Sequence, residues 1–294
     1  MKIMTKGSNY SGCGLGYVID EDFKAELVSV FGSSAVTDEK VLALQKLKSS
    51  LDWGNESGIY GKLHFLIVPF MSANTPSTNA FYDLKSKTKV KVGRNIDITD
   101  ENIGTYWTFD GYGCYPKYNT DTSRTIYPTV IGYPMTGFKA WNSSEFCLMR
   151  RIQVTMDGAH FLTNGVGRDT ANGITNHVVA CNRNNVLSSG NLVARIPGTD
   201  DWNNYAVVHT GTGDFSTEKV VTNNGECFYE GETGTTSHDL DLTFMRFGGD
   251  HSYHEDTCKE QFTFSVVGHA VGLVIEEARI VRDALMELKE ALSL

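Results

Sequence analysis

The chain has 294 residues, 29 of them glycine, with Thr, Ser and Asn abundant, 40% hydrophobic and only 21% charged residues. A net charge of −9 without any Lys/Arg cluster excludes a nucleic-acid footprint, and no run approaches the 18 apolar residues of a membrane span. What remains is a strand-rich chain with many turns and enough apolar residues for a sizeable core.

In chain order, the first feature is a Gly-rich lead containing Ser11-Gly-Cys-Gly-Leu-Gly16. It lacks the preceding strand and the Lys-Ser/Thr of a phosphate-cradling loop, so it reads as a flexible arm. It also lacks an apolar stretch of the secretory kind, which places synthesis in a reducing cytoplasm. The six cysteines (Cys13, Cys114, Cys147, Cys181, Cys227, Cys258) contain no C-x-x-C pair and read as scattered free thiols. Two helices follow. One runs from Asp20 to Phe31, with acidic residues at its start and Gly32 at its stop. The second is capped near Thr37 and carries Val41, Leu44, Leu47 and Leu51 on one face. Next, the apolar run Tyr60 to Phe70 predicts a buried strand that Pro69 ends at Val68.

From about residue 80 onward, short β-prone runs recur between turn clusters. They are Tyr106 to Phe109, Phe146 to Thr155, His160 to Thr163, His177 to Cys181, Asn191 to Ile196 and Tyr205 to His209. Glu218 to Val221, Cys227 to Tyr229, Leu240 to Phe247 and Gln261 to Val267 complete the set. Their spacing predicts an all-β, two-sheet antiparallel sandwich framed by helices. Residues 1–58 form an arm and helical segment, and 59–294 form the sandwich, closed by a helix over 272–292. On that helix Val274, Ala278, Val281, Leu285, Leu288 and Leu292 follow 4-3-4-3-4 spacing. The stripe packs either on the rest of the chain or, through Val281, Leu285, Leu288 and Leu292, in a seam between subunits.

Several segments carry a resemblance. Leu44-Gln-Lys-Leu-Lys-Ser-Ser-Leu51, Tyr60-Gly-Lys-Leu63, Phe65-Leu-Ile-Val-Pro-Phe-Met71, Phe81-Tyr-Asp-Leu-Lys85 and Thr105 to Gly113 come first. Asp201-Trp-Asn-Asn-Tyr to Gly211 and Phe264 to Leu273, leading into Glu276-Glu277, come at the far end. In this order they resemble tailed-bacteriophage appendage and tail proteins with a concanavalin A-like (laminin G-like) jelly roll. The resemblance implies a structural virion protein of a fibre, tail or head appendage. It would assemble as a homo-oligomer with other virion proteins and could attach to a host surface glycan. It implies no cofactor, no nucleic acid and no membrane insertion. A lectin or a glycan-active enzyme of the same fold is the competing class. The stretch Thr212 to Asp239 lacks the hairpin that would lend ligands to a family-style calcium or sugar site.

The candidate chemistry is sparse. Glycosidases on such sandwiches need carboxylates at alternate strand positions facing one cleft. Asp239 and Asp241 have that spacing, but no third acid follows, so the chain reads as non-enzymatic. Asp250 to Cys258 is the densest cluster of potential ligands, and His251, His254 and Asp256 are the candidate metal ligands within a polar loop. For a glycan or a protein partner, the candidate contacts are Tyr112, Tyr115 and Tyr118 in a Gly/Pro loop, Trp141 beside Asn142, and Tyr253.

Overall fold

A computed structural model of the chain describes residues 18–72, 75–94, 96–117, 127–131, 143–153, 159–165, 176–181, 186–189, 192–195, 206–210, 219–223, 225–230, 244–247 and 261–294. α1 (Glu21–Phe31) begins where Asp20 Oδ1 accepts the Phe23 N–H at 3.0 Å, with Glu21 and Asp22 in its first turn. α2 (Asp38–Ser50) is capped by Thr37, whose Oγ1 accepts the Lys40 N–H at 3.3 Å. The apolar run expected as one strand divides in two: a single helical turn, α3 (Ile59–Lys62), and β1 (Leu63–Ile67). Pro69 then opens a 3₁₀ turn, because it has no N–H to give to a ladder.

Short elements follow: β2 (Tyr82–Asp83), β3 (Thr88–Lys89), β4 (Val92–Arg94), α4 (Ile103–Tyr106), β5 (Trp107–Phe109) and β6 (Cys114–Pro116). The main strands are β7 (Tyr127–Ile131), β8 (Ser143–Gln153), β9 (Ala159–Gly165), β10 (Asn176–Cys181), β11 (Val186–Ser189) and β12 (Leu192–Arg195). β13 (Ala206–His209), β14 (Lys219–Thr222), β15 (Gly225–Glu230), β16 (Phe244–Phe247), β17 (Gln261–Val271) and α5 (Ile275–Leu292) complete the described chain.

The strands pair into two antiparallel sheets. The first has the order β3-β2-β1-β17-β8-β13-β14-β15. The second has the order β4-β7-β16-β9-β10-β11-β12-β15. β15 belongs to both: Gly225 to Phe228 pair with β14, and Tyr229 and Glu230 pair with β12. The chain is therefore mostly β, with two antiparallel sheets linked through one strand. The last strand β17 lies between β1 and β8, so the first and last strands of the described chain are neighbours in the middle of the first sheet.

One face of that sheet carries the helices. Leu66, Phe146, Leu148, Ala206, Val208, Val221, Val266 and Ala270 meet Leu27, Leu44 and Leu47 from α1 and α2, and Val281, Leu285 and Leu288 from α5. Each is nearly or wholly removed from water, the largest single favourable term in folding. Lys62 ties the layers together. Its Nζ donates to the Gly272 carbonyl at 3.0 Å and to Glu277 Oε2 at 2.6 Å, joining the start of the first sheet to α5.

The closing helix corrects one expectation. It starts at Ile275, and Gly272 (φ 71°) makes the turn that separates it from β17. Val281 and Leu285 are fully buried and Leu288 is 2% exposed within the single chain, against α2 and strands β8, β13 and β14. These three residues are consumed by the chain's own core and have no surface to give to a seam between subunits. Leu292 is half-buried and packs at the edge of the same cluster.

Candidate functional site

The loop between β5 and β6 is built around one carboxylate. Asp110 Oδ1 accepts the N–H groups of Tyr112 (3.0 Å) and Gly113 (3.2 Å), and Oδ2 accepts the Thr263 hydroxyl at 2.6 Å. An Asp that folds back on N–H groups two and three residues ahead is a self-contained turn. The Thr263 bond anchors that turn to β17. Gly113 lets the loop lie flat on the strand, because a Cβ there would stand 2.0 Å from the Phe264 carbonyl oxygen.

The turn delivers Tyr112 to Arg150. Arg150 pairs in register with Thr263, and its guanidinium carbon lies 4.0 Å from the Tyr112 ring centroid. This is a cation–π contact at a solvent-exposed arginine. By the strand pleat Arg150 lies on the same face as Leu148 and Phe146. Tyr115 is half-buried on β6 opposite Thr108, on the alternate side from the buried Cys114. The loop thus separates two of the three expected tyrosines by role: one supports a cation, the other stands on a strand.

A second constellation lies on the face of the first sheet turned away from the helices. Glu145 and His269 are direct cross-strand partners on β8 and β17, 1% and 0% exposed. The His269 ring stacks near Phe65 (centroids 5.9 Å, 23° between planes) and meets His64 edge-on at 5.3 Å. Burial pushes the Glu145 carboxyl up to about 8 and the His64 imidazole down to about 4. The same burial, with His64 as neighbour, holds His269 well below the usual imidazole range. At neutral pH the three groups are uncharged, as a low-dielectric site requires. Phe65, Ile67, Cys147 and Val267 are fully buried with Glu145 and His269, so that pair is part of a core, while His64 is half-buried at its border.

The other candidates from the sequence fall elsewhere. Tyr118, Trp141, Tyr253, His251, His254 and Asp256 lie outside the described residues, as do Asp239 and Asp241. Among the described residues there is no group of three or more His, Cys, Asp or Glu side chains arranged to hold a metal. Cys114 and Cys147 are free and buried, and burial raises both thiols. Glu145 and His269 fall just outside the strands expected from the sequence, which begin at Phe146 and end at Val267, whereas β8 starts at Ser143 and β17 runs to Val271. Arg150 is not legible in the sequence, because nothing local marks an arginine as the partner of a tyrosine 38 positions earlier.

No family model and no curated protein matches the chain. Among solved structures it is similar to the sialidase of Trypanosoma rangeli in complex with 2,3-difluoro-KDN, with a TM-score of 0.42 and 11% identity over 84% of this chain. The complex of that sialidase with 2,3-difluorosialic acid gives a TM-score of 0.39 and 11% identity over 84% of this chain. A mutant of it displaying trans-sialidase activity gives 0.38 and 10% identity over 86%. In all three the match spans 38% of the sialidase chain, well short of its whole length.

Proposed function

We propose that the chain is a non-enzymatic structural protein of a tailed-phage virion, built on a concanavalin A-like jelly-roll sandwich. It acts in assembly as a homo-oligomer beside other virion proteins and presents loops to host surface glycans. The observation that supports this reading most is where the resembling segments fall. Residues 60–71 contain β1 and its closing turn, 81–85 contain β2, and 264–273 contain most of β17. These pieces from opposite ends of the chain are neighbours in one sheet, and β17 runs on toward α5 across a helical layer made by α1 and α2. The Tyr112 turn is one described surface loop with polar groups and an exposed arginine beside it, whereas Glu145 and His269 are sealed in the core. A fold of this kind hosts many functions, so the reading stands on the arrangement and on loops, not on a catalytic site.

Size-exclusion chromatography with light scattering on the intact chain tests the assembly half. A discrete multiple of the 32.5 kDa chain mass is expected. A monomer at tens of micromolar concentration contradicts it.

A further inference from the structure

We propose that Tyr112 and Arg150 form a recognition site for an anionic saccharide, one that carries carboxylate or sulfate groups. This deepens, and rests on, the glycan-attachment part of the function proposed above.

The described arginines of α5 each hold a carboxylate: Arg279 meets both oxygens of Glu226 at 2.5 and 2.8 Å, and Arg282 meets Asp283 at 2.8 Å. Arg150 differs. Its contact is with an aromatic ring, and no carboxylate among the described residues pairs with it. In a chain with 35 acidic and 26 basic side chains, an exposed guanidinium with no acid partner among the described residues is out of keeping with its surroundings.

The carboxylate of this loop is already committed. Asp110 gives one oxygen to Thr263 and the other to the Tyr112 and Gly113 N–H groups. Those three bonds explain why Asp110 does not neutralise Arg150 although it is anchored to Thr263, the residue paired with Arg150 in the sheet. The same bonds fix the backbone of Tyr112, and the close approach of Gly113 to Phe264 holds the turn against β17. The pair is therefore preorganised, so little ordering entropy remains for a ligand to supply.

The chemistry of the pair selects the ligand. A guanidinium presents a planar fork of N–H donors that matches a carboxylate or sulfate in two parallel bonds. The tyrosine ring holds the cation in place, and the apolar ring surface left on this half-buried side chain suits the C–H face of a pyranose. A neutral sugar would leave the guanidinium without an acceptor.

The test uses the intact chain on immobilised polygalacturonate, heparin and dextran, alongside an array of neutral glycans. Retention on polygalacturonate alone assigns carboxylate, on heparin alone sulfate, and on both the shared chemistry; each supports the proposal. Arg150→Gln is expected to weaken that binding at least tenfold, Tyr112→Ala several-fold, and added salt to weaken the wild type. The thermal midpoint of Arg150→Gln stays at the wild-type value, because the side chain is exposed. Anionic binding that Arg150→Gln leaves unchanged overturns the proposal. Binding confined to neutral glycans overturns it while sparing the attachment reading, and binding to no glycan at all overturns both.

Discussion

His269 on β17 stands directly across from Glu145 on β8, and both are sealed from water on the face of the sheet away from the helices. The pair places two ionisable groups, with His64 as a third, where an uncompensated charge would be costly.

The consequence is a pH dependence of stability with a defined sign. Between pH 4.5 and 6.5 the unfolded chain protonates both imidazoles, while the folded chain keeps one proton on Glu145 and leaves His64 neutral to about 4. The unfolded state then binds one proton more, so this cluster makes stability rise with pH. Between 6.5 and about 8 the unfolded chain has released all three protons and the folded chain still holds the one on Glu145, so stability falls as pH rises. Each limb has a slope of about 1.4 kcal/mol per pH unit at most. Urea unfolding across pH 4.5 to 8.5 should show a maximum near 6.5. Glu145→Gln should abolish the alkaline limb, and a mutant profile that retains it contradicts the assignment.

Gly268 faces Phe146 across the same two strands, and a Cβ on it would lie 2.1 Å from the end of the aromatic ring. Gly268→Ala must therefore displace a fully buried ring from the helix-covered core. A loss of about 1–3 kcal/mol is expected, read as a lowered denaturation midpoint. A wild-type midpoint would mean that the ring is not seated there.

On α5, Leu285 and Ile280 give opposite expectations. Leu285 is fully buried and Ile280 is 45% exposed. Leu285→Ala should cost about 2–5 kcal/mol, as a cavity in a packed core does. Ile280→Ala should stay within about 0.5 kcal/mol of wild type. Neither should change the mass measured by light scattering, because the buried stripe is spent within the chain. A dissociated oligomer in Leu285→Ala that remains folded by circular dichroism would restore the seam.

Asp83 is fully buried and holds three backbone N–H groups: Leu66 at 2.8 Å and Lys85 at 3.0 Å on Oδ1, and Ser86 at 3.0 Å on Oδ2. Lys85, two residues along, donates from Nζ to the Tyr60 and Leu63 carbonyls. Asp83→Ala strands one buried and two part-buried donors and is expected to cost about 1–3 kcal/mol. Asp83→Asn, which keeps acceptor capacity on one oxygen, should recover part of it. Equal midpoints for both variants would argue against the carboxylate as the organiser of this corner.

What the sequence made legible follows local physics. Helix caps at Asp20 and Thr37 are short-range signals, and both side chains accept the bonds expected of them. Where they are described, the β-prone runs fall on strands apart from Tyr106, which ends α4, since residues such as Val208 and Val221 need only a pleated neighbour to favour extension. Strand ends were less legible. Gly268 reads as a breaker, yet here it makes room for Phe146, so β17 continues to Val271 and carries His269 inside. The α5 stripe fits two destinations in sequence, because a 4-3 apolar repeat looks the same whether its partner is α2 or another subunit. The Tyr112–Arg150 contact was invisible for a different reason: β17 and a 38-residue separation bring the two together, and sequence spacing carries no record of that.

The proposed role as a virion component is open to direct test. The most direct measurement is mass spectrometry of density-purified phage particles produced from a genome that encodes it, with the infected-cell lysate as reference. The account predicts the chain in the particles at a fixed, multiple copy number. A chain abundant in the lysate and absent from the particles would contradict it.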